Sequence, residues 1–242
     1  MAGTGTGHMP NSSQQAAERN GAIPVLGPQD AIVAIGAHFD DVELGCGGVL
    51  AKAAQRGCHI TILVMTSSSY THARGAITRS AEAALAEGRA AAAKLGVRDV
   101  RCLGLANMNL RWEGETVMAI ESIMEEVRPS LIFTHWPFDT HQDHHYGALA
   151  TLSAARYFSS ILMYDPMFPS GRSYHPFRPQ VYFDITDTLD AKIEALRCHA
   201  SELRKYGDDW LDAVTARARF RGYETGAQYA EAFEAVRLQV RL

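Results

Sequence analysis

Four strand-like runs, each followed by a stretch with helical character, limit what this chain can fold into. Ala31-Ile32-Val33-Ala34-Ile35 and residues 131–135 read as buried strands, and residues 59–66 and 99–105 as two further strands. Helical segments follow them, ending near Arg56 and spanning 79–95, 115–127 and 143–158. Gly57, Gly96 and Pro129 stop the first three. Strand alternating with helix predicts an α/β fold: a Rossmann-like, doubly wound, mostly parallel sheet in three α/β/α layers. Further strands are expected at 161–164 and 180–185, a helix at 189–203, and a mostly helical tail from Gly207. Residues 31–242 read as a single domain.

The turn after the first strand carries the chemistry. It reads Ala37-His38-Phe39-Asp40-Asp41-Val42-Glu43-Leu44-Gly45, and a helix opens behind it. Adjacent aspartates in a turn commonly cap the next helix or bond local backbone. A second cluster, Asp139-Thr140-His141-Gln142-Asp143-His144-His145, follows the fourth strand and changes that reading. Parallel strands place both turns at one edge of the sheet, where open α/β sheets bind ligands. Residues about a hundred positions apart then share one site.

Catalytic zinc takes three His, Asp or Glu ligands and keeps one position open. His38, Asp41 and His144 are the facially plausible set, with Asp40 as a carboxylate near the metal water and His141 across from it. His145 reads as a helix-face residue, because neighbouring side chains point to different sides. Arg79 and, less so, Arg74 are substrate-contact candidates, with an ion-paired arginine as the competing reading. His72, His135, His175 and His199 could line the pocket, and Trp112, Trp136 and Tyr164 could stack on a sugar, although core packing is the commoner use of an aromatic ring.

Composition narrows the partners. A net charge of -4 offers no basic footprint for nucleic acid, and no apolar run reaches the ~20 residues of a membrane span. Cys46, Cys58, Cys102 and Cys198 have no C-x-x-C pairing and read as buried free thiols in a reducing, cytoplasmic setting. Residues 1–30 read as a flexible N-terminal segment without a secretory signal core. Gly7-His8-Met9 has the form of a vector scar, so His8 is left out of the site.

With both clusters in view, the chain resembles the PIG-L/LmbE-like zinc N-deacetylases of N-acetylated amino sugars. That family carries Ala-His-Pro-Asp-Asp after its first strand and His-Pro-Asp-His after a later one. Here they stand as Ala37-His38-Phe39-Asp40-Asp41 and His141-Gln142-Asp143-His144. Gly47-Gly48, Leu95-Gly96-Val97 and residues 190–201 also look familial, and 229–233 more weakly. The resemblance implies that His38, Asp41 and His144 bind Zn2+, with Fe2+, Co2+ or Mn2+ as other candidate metals. It implies Asp40 as general base, His141 as oxyanion stabiliser or proton donor, and Asp143 as a residue that orients a histidine from behind the ligands. The implied substrate is a small-molecule or glycoconjugate amino sugar of the N-acetylglucosamine type. The competing readings are an amidase of a sugar-linked conjugate and an inactive carbohydrate-binding protein. Many relatives self-associate, so a homo-oligomer is a candidate state. Phe39 and Gln142 replace the family's prolines, which pre-set φ, so these turns are expected to be looser or held by other packing. Some members place a tyrosine before the second motif, where this chain has Asp139 and Thr140.

Overall fold

Strand β1 (Ala31–Gly36) is flanked by β2 (His59–Thr66) on one side and β6 (Leu131–Thr134) on the other, all parallel. The computed structural model describes residues 26–71, 77–167 and 169–239. Beyond β2 lies β5 (Asp99–Leu105); beyond β6 lie β7 (Ile161–Tyr164), β9 (Ala230–Arg237) and β8 (Val181–Asp184). The order β5-β2-β1-β6-β7-β9-β8 reverses direction between β1 and β6, and there a doubly wound sheet opens its crevice. Tyr70–Thr71 (β3) and Ile77–Arg79 (β4) form a separate antiparallel pair beside the site.

Alternation along the strands builds two cores. Ile32 and Ala34 face one side with Val49, Leu50, Ala91 and Ala195, whereas Val33 and Ile35 face Ile120, Met124, Ala150 and Ala154. Helices α1 (Asp41–Gln55), α2 (Ala81–Lys94) and α5 (Leu189–Arg197) cover the first side. Helices α3 (Gly114–Val127) and α4 (Gln142–Ala154) cover the second. The Ala-rich α2 forms where helix propensity is highest; Ser80 caps it by accepting from the Ala83 N–H at 3.1 Å, and Gly96, at φ +78°, ends it.

Two expectations change in the C-terminal third. The helix expected at 189–203 is two helices, α5 and α6 (Ala200–Tyr206), with Cys198 and His199 between them. The tail expected to be mostly helical holds α7 (Asp209–Thr225) and then β9, which runs antiparallel between β7 and β8. Ala and Glu are poor strand formers, so residues 230–235 carry little local strand signal. Tertiary contacts supply it. Glu231 is buried, accepts from the Gly48 and Val49 N–H groups at 2.9 and 2.8 Å, and pairs with buried Lys192 at 2.6 Å. Those amides are freed where α1 breaks its helical geometry at Cys46. The thiols are free, as expected, but only Cys46 is buried; Cys58 and Cys198 are half-buried and Cys102 is exposed. Among the described residues no helix is long and apolar enough to cross a membrane.

Candidate metal centre and active site

The first turn hangs from the end of β1. The Ala37 carbonyl accepts from the Thr66 N–H at 3.0 Å and the Thr66 hydroxyl at 2.8 Å, tying it to β2. Asp41 Oδ2 accepts from the His38 N–H at 2.6 Å. Asp40 takes the position before α1 yet makes no capping bond with its side chain, and its φ is 129°. Such backbone costs a residue with a side chain about 1–3 kcal/mol and is found disproportionately at functional sites. In the second turn His141 is the cap of α4: its Nδ1 accepts from the Asp143 N–H at 3.2 Å. Asp143 and His144 therefore leave the first turn of α4 toward the same edge as His38.

Two imidazole nitrogens and the two oxygens of one carboxylate meet there, three residues that can each give a ligand atom. His38 Nδ1 lies 3.3 Å from His144 Nε2 and 3.4 Å from Asp41 Oδ2, and His144 Nε2 lies 3.3 Å from Asp41 Oδ1. Tetrahedral zinc with bonds of about 2.0–2.1 Å separates its ligands by about 3.3–3.4 Å. The His38–His144 edge has that spacing, and Asp41 faces each imidazole with a different oxygen, so one carboxylate completes the set.

Carboxylates stand behind both imidazoles. His38 Nε2 is 3.0 Å from Asp143 Oδ2 and 2.8 Å from Asn107 Oδ1, so that nitrogen carries the proton and Nδ1 offers its lone pair. His144 Nδ1 donates to Asp139 Oδ2 at 2.9 Å, which leaves Nε2 for the ion. Burial disfavours charge on His38, but hydrogen bonds it donates to the Asp143 and Asp41 carboxylates overcome it and raise the ring to about 9. Burial likewise opposes charge on His144, and Asp41 and Asp139 raise it to about 10. The cluster demands positive charge at these two rings, which a metal ion can supply in place of protons.

Asp40 and His141 line the same cleft, of about 280 Å3. Burial, then the neighbouring Asp41 and Glu202 carboxylates, push Asp40 up to about 7. Burial, then His144 and His38, bring His141 down to about 4, so it is neutral near pH 7. Its Nδ1 accepts from backbone, so the ring proton sits on Nε2.

The remaining candidates sort by position. Arg79 lies on the cleft wall, but its guanidinium is buried and paired with Glu87 at 3.1 Å and Glu202 at 3.3 Å, the competing reading of that residue. Arg74 and His72 lie outside the described residues. His135 stacks on His144 at 4.1 Å and its Nε2 is 3.1 Å from Asp41 Oδ2. His199 is buried against Arg79, whereas His175 is exposed. Tyr164 lines the cleft; Trp136 is buried elsewhere and Trp112 is exposed, donating to Ser153 Oγ. The sequence reading missed Asp139 and Asn107 as partners of the two histidines. Asp139 lies within the second cluster and was legible as a carboxylate five residues before a ligand. Asn107 carries no local signal. It also missed the wall formed by Lys205, Tyr206 and Trp210 from α6 and α7.

Comparison with known proteins identifies the family. The family model described as PIG-L, GlcNAc-PI de-N-acetylase, matches residues 33–155. The uncharacterized deacetylase YaiS of Escherichia coli is 34% identical over 177 residues, covering 70% of this chain and 90% of its own length. The diacetylchitobiose deacetylase of Thermococcus kodakarensis is 24% identical over 215 residues, covering 83% and 80%. A relative with another named activity, the 4-oxalmesaconate hydratase of Pseudomonas putida, is 23% identical over 72% of this chain and 75% of its own. A conserved protein of Thermus thermophilus shares the fold at a TM-score of 0.72, with 24% identity over 88% of this chain and 97% of that one. The fold is that of an LmbE-like α/β protein. The chain belongs to the PIG-L family of deacetylases, among whose relatives a hydratase also occurs.

Proposed function

We propose that this protein is a zinc-dependent N-deacetylase, cytoplasmic in setting, that hydrolyses the acetamide of an N-acetyl amino sugar in a small molecule or glycoconjugate. The observation that carries the reading is the His38–Asp41–His144 triangle with Asp40 and His141 in the same cleft. The named activity of the Thermococcus relative supports the substrate class.

His38, Asp41 and His144 would hold the metal. When bound, zinc lowers the pKa of water and polarises a carbonyl oxygen near neutral pH. Asp40 takes the proton from the attacking water; a carboxylate raised toward neutrality is suited to hold it. His141, neutral, donates its Nε2–H to the carbonyl oxygen as negative charge grows there. Asp40 then returns the proton to the amine nitrogen as the C–N bond breaks, giving free amine and acetic acid, whose remaining proton passes to the amine or to solvent to leave acetate. The low pKa of His141 favours this division of roles over proton delivery from His141.

The test is acetate release from N,N′-diacetylchitobiose and a panel of N-acetylglucosamine derivatives by zinc-loaded protein. Wild type releases acetate, and Asp40→Asn binds zinc but releases acetate about 100- to 10,000-fold more slowly, at a measurable residual rate. No acetate from any member of the panel, or hydration of a carbon–carbon double bond instead, would sink the proposal.

A further inference from the structure

Phe39 stands where the family's first turn carries proline, and three elements hold it. Its N–H donates to Ser68 Oγ at 2.9 Å, and its carbonyl accepts from Arg79 Nη1 at 3.2 Å. Its ring is 3% exposed and lies over Gly88 of α2, where an added Cβ would collide with it. Proline would restrain φ through its own ring but has no N–H for Ser68. In this chain contacts replace the covalent restraint.

The residue that follows is Asp40, at φ 129°. The peptide plane that contains the Phe39 carbonyl also contains the Asp40 nitrogen, so gripping that oxygen restrains the plane from which Asp40 departs. Arg79 is fit to grip. It is 5% exposed, and its other contacts are Glu87 of α2 at 3.1 Å, Glu202 of α6 at 3.3 Å and His199 Nδ1 at 3.4 Å. A guanidinium braced from three directions is a fixed point.

We propose that Arg79 is a positioning residue for Asp40, holding with Ser68 and Gly88 the Phe39 peptide that sets the direction of the Asp40 carboxylate. The inference rests on Asp40 being the general base.

The test uses zinc-loaded protein and N,N′-diacetylchitobiose. Arg79→Lys keeps the charge but loses the planar fork that spans a carbonyl and two carboxylates. Its kcat falls about 100-fold, the cost of misplacing a reacting group by about 1 Å, while KM and zinc stoichiometry hold. Ser68→Ala removes one bond of the grip, leaves no buried charge unpaired, and lowers kcat about 10-fold. It carries the test alone if Arg79→Lys does not fold. In an Asp40→Asn background neither substitution lowers the rate further, because groups that act as a unit are not additive. A crystal structure of either variant shows Asp40 displaced, a readout independent of turnover. Wild-type kcat in both variants, a loss confined to KM or zinc, additive loss in Asp40→Asn, or an unmoved Asp40 overturns the proposal. Full activity of Asp40→Asn by itself removes the base reading, and this inference with it.

Discussion

Asp139 Oδ2 accepts a hydrogen bond from His144 Nδ1 at 2.9 Å, and its other oxygen accepts from the N–H groups of His141 and Gly171 at 2.9 and 3.1 Å. One carboxylate thus orients a ligand and ties the second turn to the loop after β7. Asp139→Asn weakens the orientation without removing a ligand. Zinc affinity, measured by chelator competition, should fall about 10- to 100-fold. Unchanged affinity would remove Asp139 from the metal centre.

The pH profile follows from Asp40. A base works only when deprotonated, so kcat/KM rises with pH through its pKa. Burial, Asp41 and Glu202 place that pKa at about 7, and a bound cation pulls it lower. The acidic limb should therefore fall between about 4, the ordinary aspartate value, and about 7. A profile flat across that interval would contradict the assignment.

The strained backbone at Asp40 has a stability consequence. Asp40→Gly and Asp40→Ala both remove the carboxylate, but only glycine relaxes φ 129°. Glycine should be the more stable of the two by about 1–3 kcal/mol. Thermal unfolding should show it as a higher Tm, by roughly 2–4 °C per kcal/mol. Equal Tm values would mean that the turn carries no strain.

Gly88 receives the Phe39 ring. Gly88→Ala should overpack the notch and cost about 1–3 kcal/mol in denaturant unfolding. Gly114, where an added Cβ meets nothing within 4 Å, is the control. Equal costs at the two positions would show that the ring can move aside.

The parallel core was legible because its signals are local. Strands at 59–66, 99–105 and 161–164 match the expected bounds, and in 59–66 the β-branched run that follows Gly57 reads the same in isolation and in the fold. His38, Asp41 and His144 were legible because parallel strands bring turns to one edge. Strand β9 was not, because Glu231 becomes a strand residue only through Lys192 and the amides of α1.

Sequence by itself determined the alternation of strands and helices and the residues that can hold an ion. Only the tertiary structure decided that Asp139 stands behind His144, that Arg79 is committed to the Phe39 carbonyl, and that β9 enters the sheet. The reason is range. Periodicity and turn chemistry act within a few residues, whereas the partner of a buried charge is chosen by what the packed chain brings within about 3 Å of it.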